Sequence, residues 1–162
     1  MIYFGIDPGT ARCGWGVIIK EGSTLSCVAY GCLEPQKDVI PGDRLLEIYT
    51  QLGKLIKKYN PDGIGVEKLF FSNNAKTVMS IAEVRGVILL LVRQHKHIVL
   101  EHTPYQIKQA VTGYGNADKT QVQKMVKIIL NLQEIPKPDD AADGLACAIT
   151  VSQTRQLRSQ YK

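Results

Sequence analysis

Four acidic residues, Asp7, Glu67, Asp140 and Asp143, stand where their types and spacing could do chemistry. Asp7 closes the run Ile2-Tyr3-Phe4-Gly5-Ile6, and Glu67 closes Gly63-Ile64-Gly65-Val66. Side chains of a strand alternate between faces, so Asp7 shares its face with Tyr3 and Gly5, and Glu67 shares its face with Gly63 and Gly65. Each carboxylate then sits at the C-terminal end of a strand, with a glycine two residues earlier leaving room beneath it. The third element is Asp139-Asp140-Ala141-Ala142-Asp143-Gly144-Leu145-Ala146-Cys147-Ala148. Asp140 and Asp143, three apart, share one face of a helix. The alanines and glycine around them permit that helix to lie close to the sheet face left bare by Gly5 and Gly65. Carboxylates gathered this way repel one another unless cations lie among them, and hard oxygen donors select Mg²⁺ or Mn²⁺ over zinc. Two such ions, about 3.5 to 4 Å apart, clamp the attacking water and the leaving oxygen of a phosphodiester. The implied chemistry is phosphodiester hydrolysis.

Taken singly, some of these acids have plainer roles. Asp7 before Pro8-Gly9 also suits a turn. Asp139 or Asp140 also suits the start of a helix, where an acid accepts backbone N–H groups and complements the dipole, and Asp139 is assigned that role. Asp143 inside a small apolar helix is harder to explain this way, and Glu67 after a glycine-rich strand is poorly explained by fold alone.

The elements that must position these groups follow from periodicity. Residues 2–7, 13–20 and 24–34 read as strands joined by short turns, an antiparallel meander. From Arg44 to Tyr59 apolar residues recur at helical spacing until Asn60-Pro61. A strand over 62–67, a helix over 75–94, a strand over 97–102 and helices over 105–111, 120–130 and 139–154 complete the order. The helix between the first and fourth strands makes those two parallel neighbours, so Asp7 and Glu67 emerge side by side at the sheet edge where open α/β sheets bind ligands. The fold class is α/β: a five-stranded mixed sheet, three antiparallel strands then two parallel, flanked by helices. Val87 to Val92 is apolar nearly all round, which calls for burial on more than one face and suggests a homodimer contact there. The loop Gly113-Tyr114-Gly115-Asn116 reads as mobile.

The chain's 162 residues suit one domain, residues 1–154, followed by a basic, frayed tail over 155–162. Hydrophobic residues make up 44% and charged residues 22%, with no fibrous or disordered bias. Without a leader or an apolar run of about 18 residues, a soluble cytoplasmic protein off the membrane is expected. Cys13, Cys27, Cys32 and Cys147 form no Cys-x-x-Cys pair and read as reduced thiols. Net charge is +5, and residues 93–162 hold ten Lys/Arg against six acids, which suits a polyanionic partner.

Gly5-Ile6-Asp7-Pro8-Gly9-Thr10, followed by Gly14-Trp15-Gly16-Val17, resembles the first-strand signature of the RuvC family of bacterial Holliday-junction resolvases. Actin-like ATPases and sugar kinases open with a similar strand-turn-strand, but this chain lacks their second phosphate-gripping Asp-x-Gly repeat and their length. Further matches to the RuvC family follow in order: Val66-Glu67-Lys68-Leu69-Phe70, Asn73-Asn74-Ala75, Ala82-Glu83-Val84-Arg85-Gly86, Gln106-Ile107-Lys108-Gln109, Lys119-Thr120-Gln121-Val122-Gln123 and Asp140-Ala141-Ala142-Asp143.

The resemblance implies a ribonuclease H-like fold and an endonuclease that resolves Holliday junctions by paired, symmetric cleavage in recombination and repair. It implies that Asp7, Glu67, Asp140 and Asp143 are catalytic acids binding Mg²⁺, with Mn²⁺ as a substitute and two ions per subunit. Some relatives carry histidine where Asp140 stands. Lys119 matches a basic residue near the scissile phosphate, and Lys108 a DNA-facing one. Phe70 matches an aromatic presented to unpaired bases, and Phe71 doubles it, so which ring stacks stays open. Arg12, Lys76 and Arg85 are candidate phosphate contacts, though a solvated charged face explains them equally well. His95, His97 and His102 match no functional position and read as surface or strand residues. The implied partners are four-way junction DNA, a second copy in a C2 homodimer, and the branch-migration complex RuvA/RuvB.

Overall fold

The computed structural model describes residues 1–68 and 75–154, with only the backbone described at residues 75–77. Strands β1 (Ile2–Asp7), β2 (Cys13–Glu21) and β3 (Thr24–Leu33) form the meander. After them come α1 (Pro41–Tyr59), β4 (Gly63–Glu67), α2 (Ala75–Gln94), β5 (Val99–His102), α3 (Pro104–Thr112), α4 (Lys119–Ile129) and α5 (Asp139–Gln153). The sheet runs β3-β2-β1-β4-β5. β1 pairs antiparallel with β2 and parallel with β4, and β5 continues in parallel. This is the expected mixed sheet.

Helix starts account for the earlier beginning of α1 and frame α3 and α4, while β5 begins at Val99, two residues later than expected. α1 begins three residues before its apolar periodicity, because Pro41 presets the φ of the first turn and Asp43 complements its dipole. Its end matches expectation: Asn60 adopts a left-handed φ of 40° and its N–H donates to the Ile56 carbonyl. Capping boxes open α3, between Thr103 and Gln106, and α4, between Asp118 and Gln121. The segment between these helices is braced, contrary to the mobile loop expected. Gln109 donates to the Gly113 carbonyl, Tyr114 N–H donates to Thr112 Oγ1, and Gly115 packs under the Tyr105 ring.

Alternation splits the core between the two sheet faces. Phe4, Ile6, Ile64 and Val66 face α1 and α2, where Ile48, Leu52, Ile88 and Leu91 meet them. Tyr3 and Ile18 face α3, α4 and α5. On this second face α5 is buried from Ala141 to Ser152 except at Asp143. It reaches the sheet backbone itself, because a Cβ at Gly5 would collide with the backbone of Gly144 and Ala148. On the helix side, a Cβ at Gly144 would lie 2.6 Å from the Trp15 backbone.

α2 covers the opposite face with Val84, Ile88, Leu91 and Val92, but leaves Met79 and Leu90 exposed, together with Ala82 and Gly86. Among the described residues no helix is long and apolar enough to cross a membrane.

Gly144→Val should destabilise the protein by about 3 kcal/mol, since neither backbone can give way without reseating α5. Gly42→Ala, with open space around it, should change stability by less than about 0.5 kcal/mol. Urea unfolding midpoints compare the two, and equal midpoints would refute close seating of α5.

Candidate active site

Asp7 and Glu67 come together through sheet register. Ile6 pairs with Val66 across the parallel β1–β4 ladder, so the next residues, Asp7 and Glu67, leave the two strands side by side. Their carboxyl groups are close enough to perturb each other's ionisation. α5 brings Asp143 to the same place, and the three acids line one cleft of about 270 Å³. Pro104, Ile107, Val122 and Ala146 form its apolar wall, and Lys108 and Lys119 its basic one.

Asp140 stands at the margin rather than in the lining. Its Oδ2 lies 3.7 Å from Arg12 Nη1, while Arg12 Nε lies 3.2 Å from Glu34 Oε1. Lys119 Nζ makes ion pairs with Asp139 Oδ2 at 2.6 Å and Asp143 Oδ2 at 3.1 Å. Two of the basic side chains expected to meet DNA are thus paired to acids on α5.

The electrostatics are those of crowded like charge. Burial, then Glu67, Asp143 and Asp140, push the Asp7 carboxyl well above its ordinary range against the pull of Lys119. Burial and Asp143 push Glu67 up to about 7, opposed by Lys108, Lys119 and the hydrogen bond with Asp7. Asp143 is raised by burial despite Lys119. Burial opposes the charge on Lys119, but its bonds to Asp139 and Asp143 prevail and raise its pKa. Like charges crowded and buried this way disfavour full ionisation of the cluster unless a cation relieves them.

The donor set fits a hard divalent cation, since every candidate donor is a carboxylate oxygen and added positive charge would relieve their repulsion. As the side chains stand, no group of three or more His, Cys, Asp or Glu among the described residues is arranged to hold an ion. Arg12 and Lys119 each engage one oxygen of these acids, Oδ2 of Asp140 and Oδ2 of Asp143, and chelation would need the carboxyl groups to turn toward a common point.

Other expected residues lie elsewhere. Arg85, on α2, is tied across to β5: its Nε donates to Glu101 Oε1 at 2.6 Å, and it does not line the cleft. Phe70, Phe71 and the tail lie outside the described residues, as does the side chain of Lys76. Cys13 is fully buried, its thiol pushed up to about 12 by burial and then by Asp7, which leaves it unreactive.

Sequence reasoning missed two features. Asp139, expected to cap α5, lies in the first turn behind the cap residue Pro138 and pairs with Lys119. His102 pairs in register with Glu67, and its Nε2 is buried without a hydrogen-bond partner among the described residues. Parallel pairing of the strand ending at His102 was the signal that could have placed it.

The chain matches the family model of crossover junction endodeoxyribonuclease RuvC over residues 3–151. It is 44% identical to the crossover junction endodeoxyribonuclease RuvC of Alkaliphilus metalliredigens over 162 residues, 100% of this chain and 99% of that one. The structure of Thermus thermophilus RuvC superposes with a TM-score of 0.85 at 29% identity, covering 93% of this chain and 92% of that one. T. thermophilus RuvC in complex with a Holliday junction substrate gives a TM-score of 0.84 at 27% identity, with the same coverage. The expected ribonuclease H-like architecture is the one found.

Repulsion in the cleft has a measurable consequence. Glu67 has a folded pKa of about 7 against an ordinary 4.5. Folding therefore favours its protonated form, and the stability this contributes is full below 4.5 and is lost as pH rises through about 7. At pH 8 in EDTA, Glu67→Gln should be more stable than the parent protein by about 1 to 3 kcal/mol. The difference should vanish toward pH 4 and shrink when divalent ions are added. Thermal melts across pH measure it, and a parent at least as stable at pH 8 would remove the repulsion argument.

Proposed function

The chain belongs to the RuvC family of crossover junction endodeoxyribonucleases, and from that premise we propose that its cleft resolves four-way DNA junctions by divalent-metal-dependent phosphodiester hydrolysis. The observation that carries this reading is the meeting of Asp7, Glu67 and Asp143 in one cleft with Lys108 and Lys119 on its wall.

Divalent ions, Mg²⁺ with Mn²⁺ as a substitute and two per subunit, would be held by Asp7, Glu67, Asp143 and, after it turns from Arg12, Asp140, and would supply Lewis-acid chemistry at the phosphate. The chain's own groups do the rest. Lys108 and Lys119 draw the phosphodiester into the cleft and hold its non-bridging oxygens, and the Lys119 ammonium stabilises charge developing there. The apolar wall limits water around the reacting phosphate, which strengthens those interactions. Arg12, at the margin, suits a flanking phosphate once released from Asp140.

Residues 1–154 form a single nuclease domain in this reading, and the basic tail over 155–162 adds to DNA attraction. A four-way junction has near two-fold symmetry, so a homodimer presents two clefts to two equivalent strands. The exposed stripe of Met79, Ala82, Gly86 and Leu90 on α2 supports pairing there. Phe70 and Phe71 follow the strand that ends at Glu67 in sequence, which favours one of them stacking on unpaired bases. A cytoplasmic location and a partnership with RuvA/RuvB accord with family membership.

Incubation with a synthetic four-way junction, a plain duplex and an RNA–DNA hybrid, with and without Mg²⁺, tests the proposal. Asp7→Asn and Glu67→Gln should bind the junction but leave it uncut, and Lys119→Ala should slow cleavage by about a hundredfold. Full cutting by either acid variant, or equal cutting of duplex and hybrid, would overturn the assignment.

A further inference from the structure

Lys119 is shared between two acids with different surroundings. Asp139 and Asp143 are four residues apart on α5, one turn from each other, and a single ammonium with three donors bridges them at 2.6 and 3.1 Å. Asp143 lines the cleft with its side chain 24% exposed, whereas Asp139 does not line it and its side chain is 48% exposed. Lys119 occupies Asp143 Oδ2, so a divalent ion taken by this carboxylate brings a double positive charge next to the ammonium, and repulsion between the two favours moving Lys119 away. An ammonium released with no second partner would sit unpaired beside an added double positive charge. Asp139 removes that difficulty by offering a carboxylate already in contact.

We propose that Asp139 is a positioning residue: it takes Lys119 over from Asp143 as a divalent ion binds, and keeps the ammonium at the cleft mouth where a phosphate would meet it. This rests on the reading of Asp143 as a metal ligand. A plain role for Asp139 exists, because an acid in the first turn of α5 complements the helix dipole. That role predicts a change in stability but no dependence on Lys119.

The discriminating measurement is Mn²⁺ binding to the full chain, followed by loss of the free-ion EPR signal. It would compare the parent, Asp139→Asn, Lys119→Gln and the double variant. Asp139→Asn should weaken Mn²⁺ binding about threefold in the parent background, the scale of a partly exposed ion pair, and scarcely at all in the Lys119→Gln background. Asp139→Glu should restore it. Junction cleavage by Asp139→Asn should fall at limiting Mn²⁺ and recover at saturation. Equal weakening in both backgrounds would mean that Asp139 acts only through its field, and no weakening would mean that it does nothing; either overturns the proposal. Asp143→Asn separates the two levels. Unchanged Mn²⁺ affinity in that variant would overturn the ligand assignment itself, whereas weakened affinity without coupling between Asp139 and Lys119 would overturn the positioning role alone.

Discussion

A helix seated on bare backbone is the constraint from which the rest of this molecule follows. Where β1 and β2 carry glycine, α5 settles against the strands with no side-chain layer between, its backbone at Gly144 and Ala148 over Gly5. An ordinary helix packs on a cushion of side chains, which would lift Asp143 away from Asp7 and Glu67. Here the missing Cβ atoms bring it into one cleft with them. The same glycines that weaken strands in general are what let three remote parts of the sequence share a site.

Close approach creates the electrostatic problem that the basic residues manage. Asp7 and Glu67 are each raised by burial and by neighbouring acids. Lys119 and Arg12 reach in from different elements, and each is also held by an acid outside the cleft, Asp139 or Glu34. The site is thus poised rather than relaxed: its carboxylates are partly compensated by basic side chains, which divalent ions would free to meet a phosphate. A cluster that destabilises the fold is what a site selected for binding cations would retain.

The sheet separates this work from the rest of the structure. Its other face is closed by α1 and α2, with Arg85 and Glu101 tying α2 to β5. There Arg85, one of the candidate phosphate contacts, is engaged by Glu101. Exposed Met79 and Leu90 lie on α2, across the sheet from the helix that carries Asp143.

Element order, the mixed sheet, the face on which Asp7 and Glu67 lie, and the fitness of a small-residue helix to cover that face were all legible in the sequence, because they depend on local periodicity and on glycine's lack of a side chain. Parallel pairing of β1 and β4 followed from the helix between them. Whether Asp139 or Asp140 turned toward the cleft, and that neither lines it, was not legible. Nor were the partners of Arg12, Arg85 and Lys119, or the buried nitrogen of His102 beside the strand of Glu67. Those outcomes are settled between side chains on different elements, whose distances arise only once the helices have docked on the sheet, and no spacing along one segment encodes them.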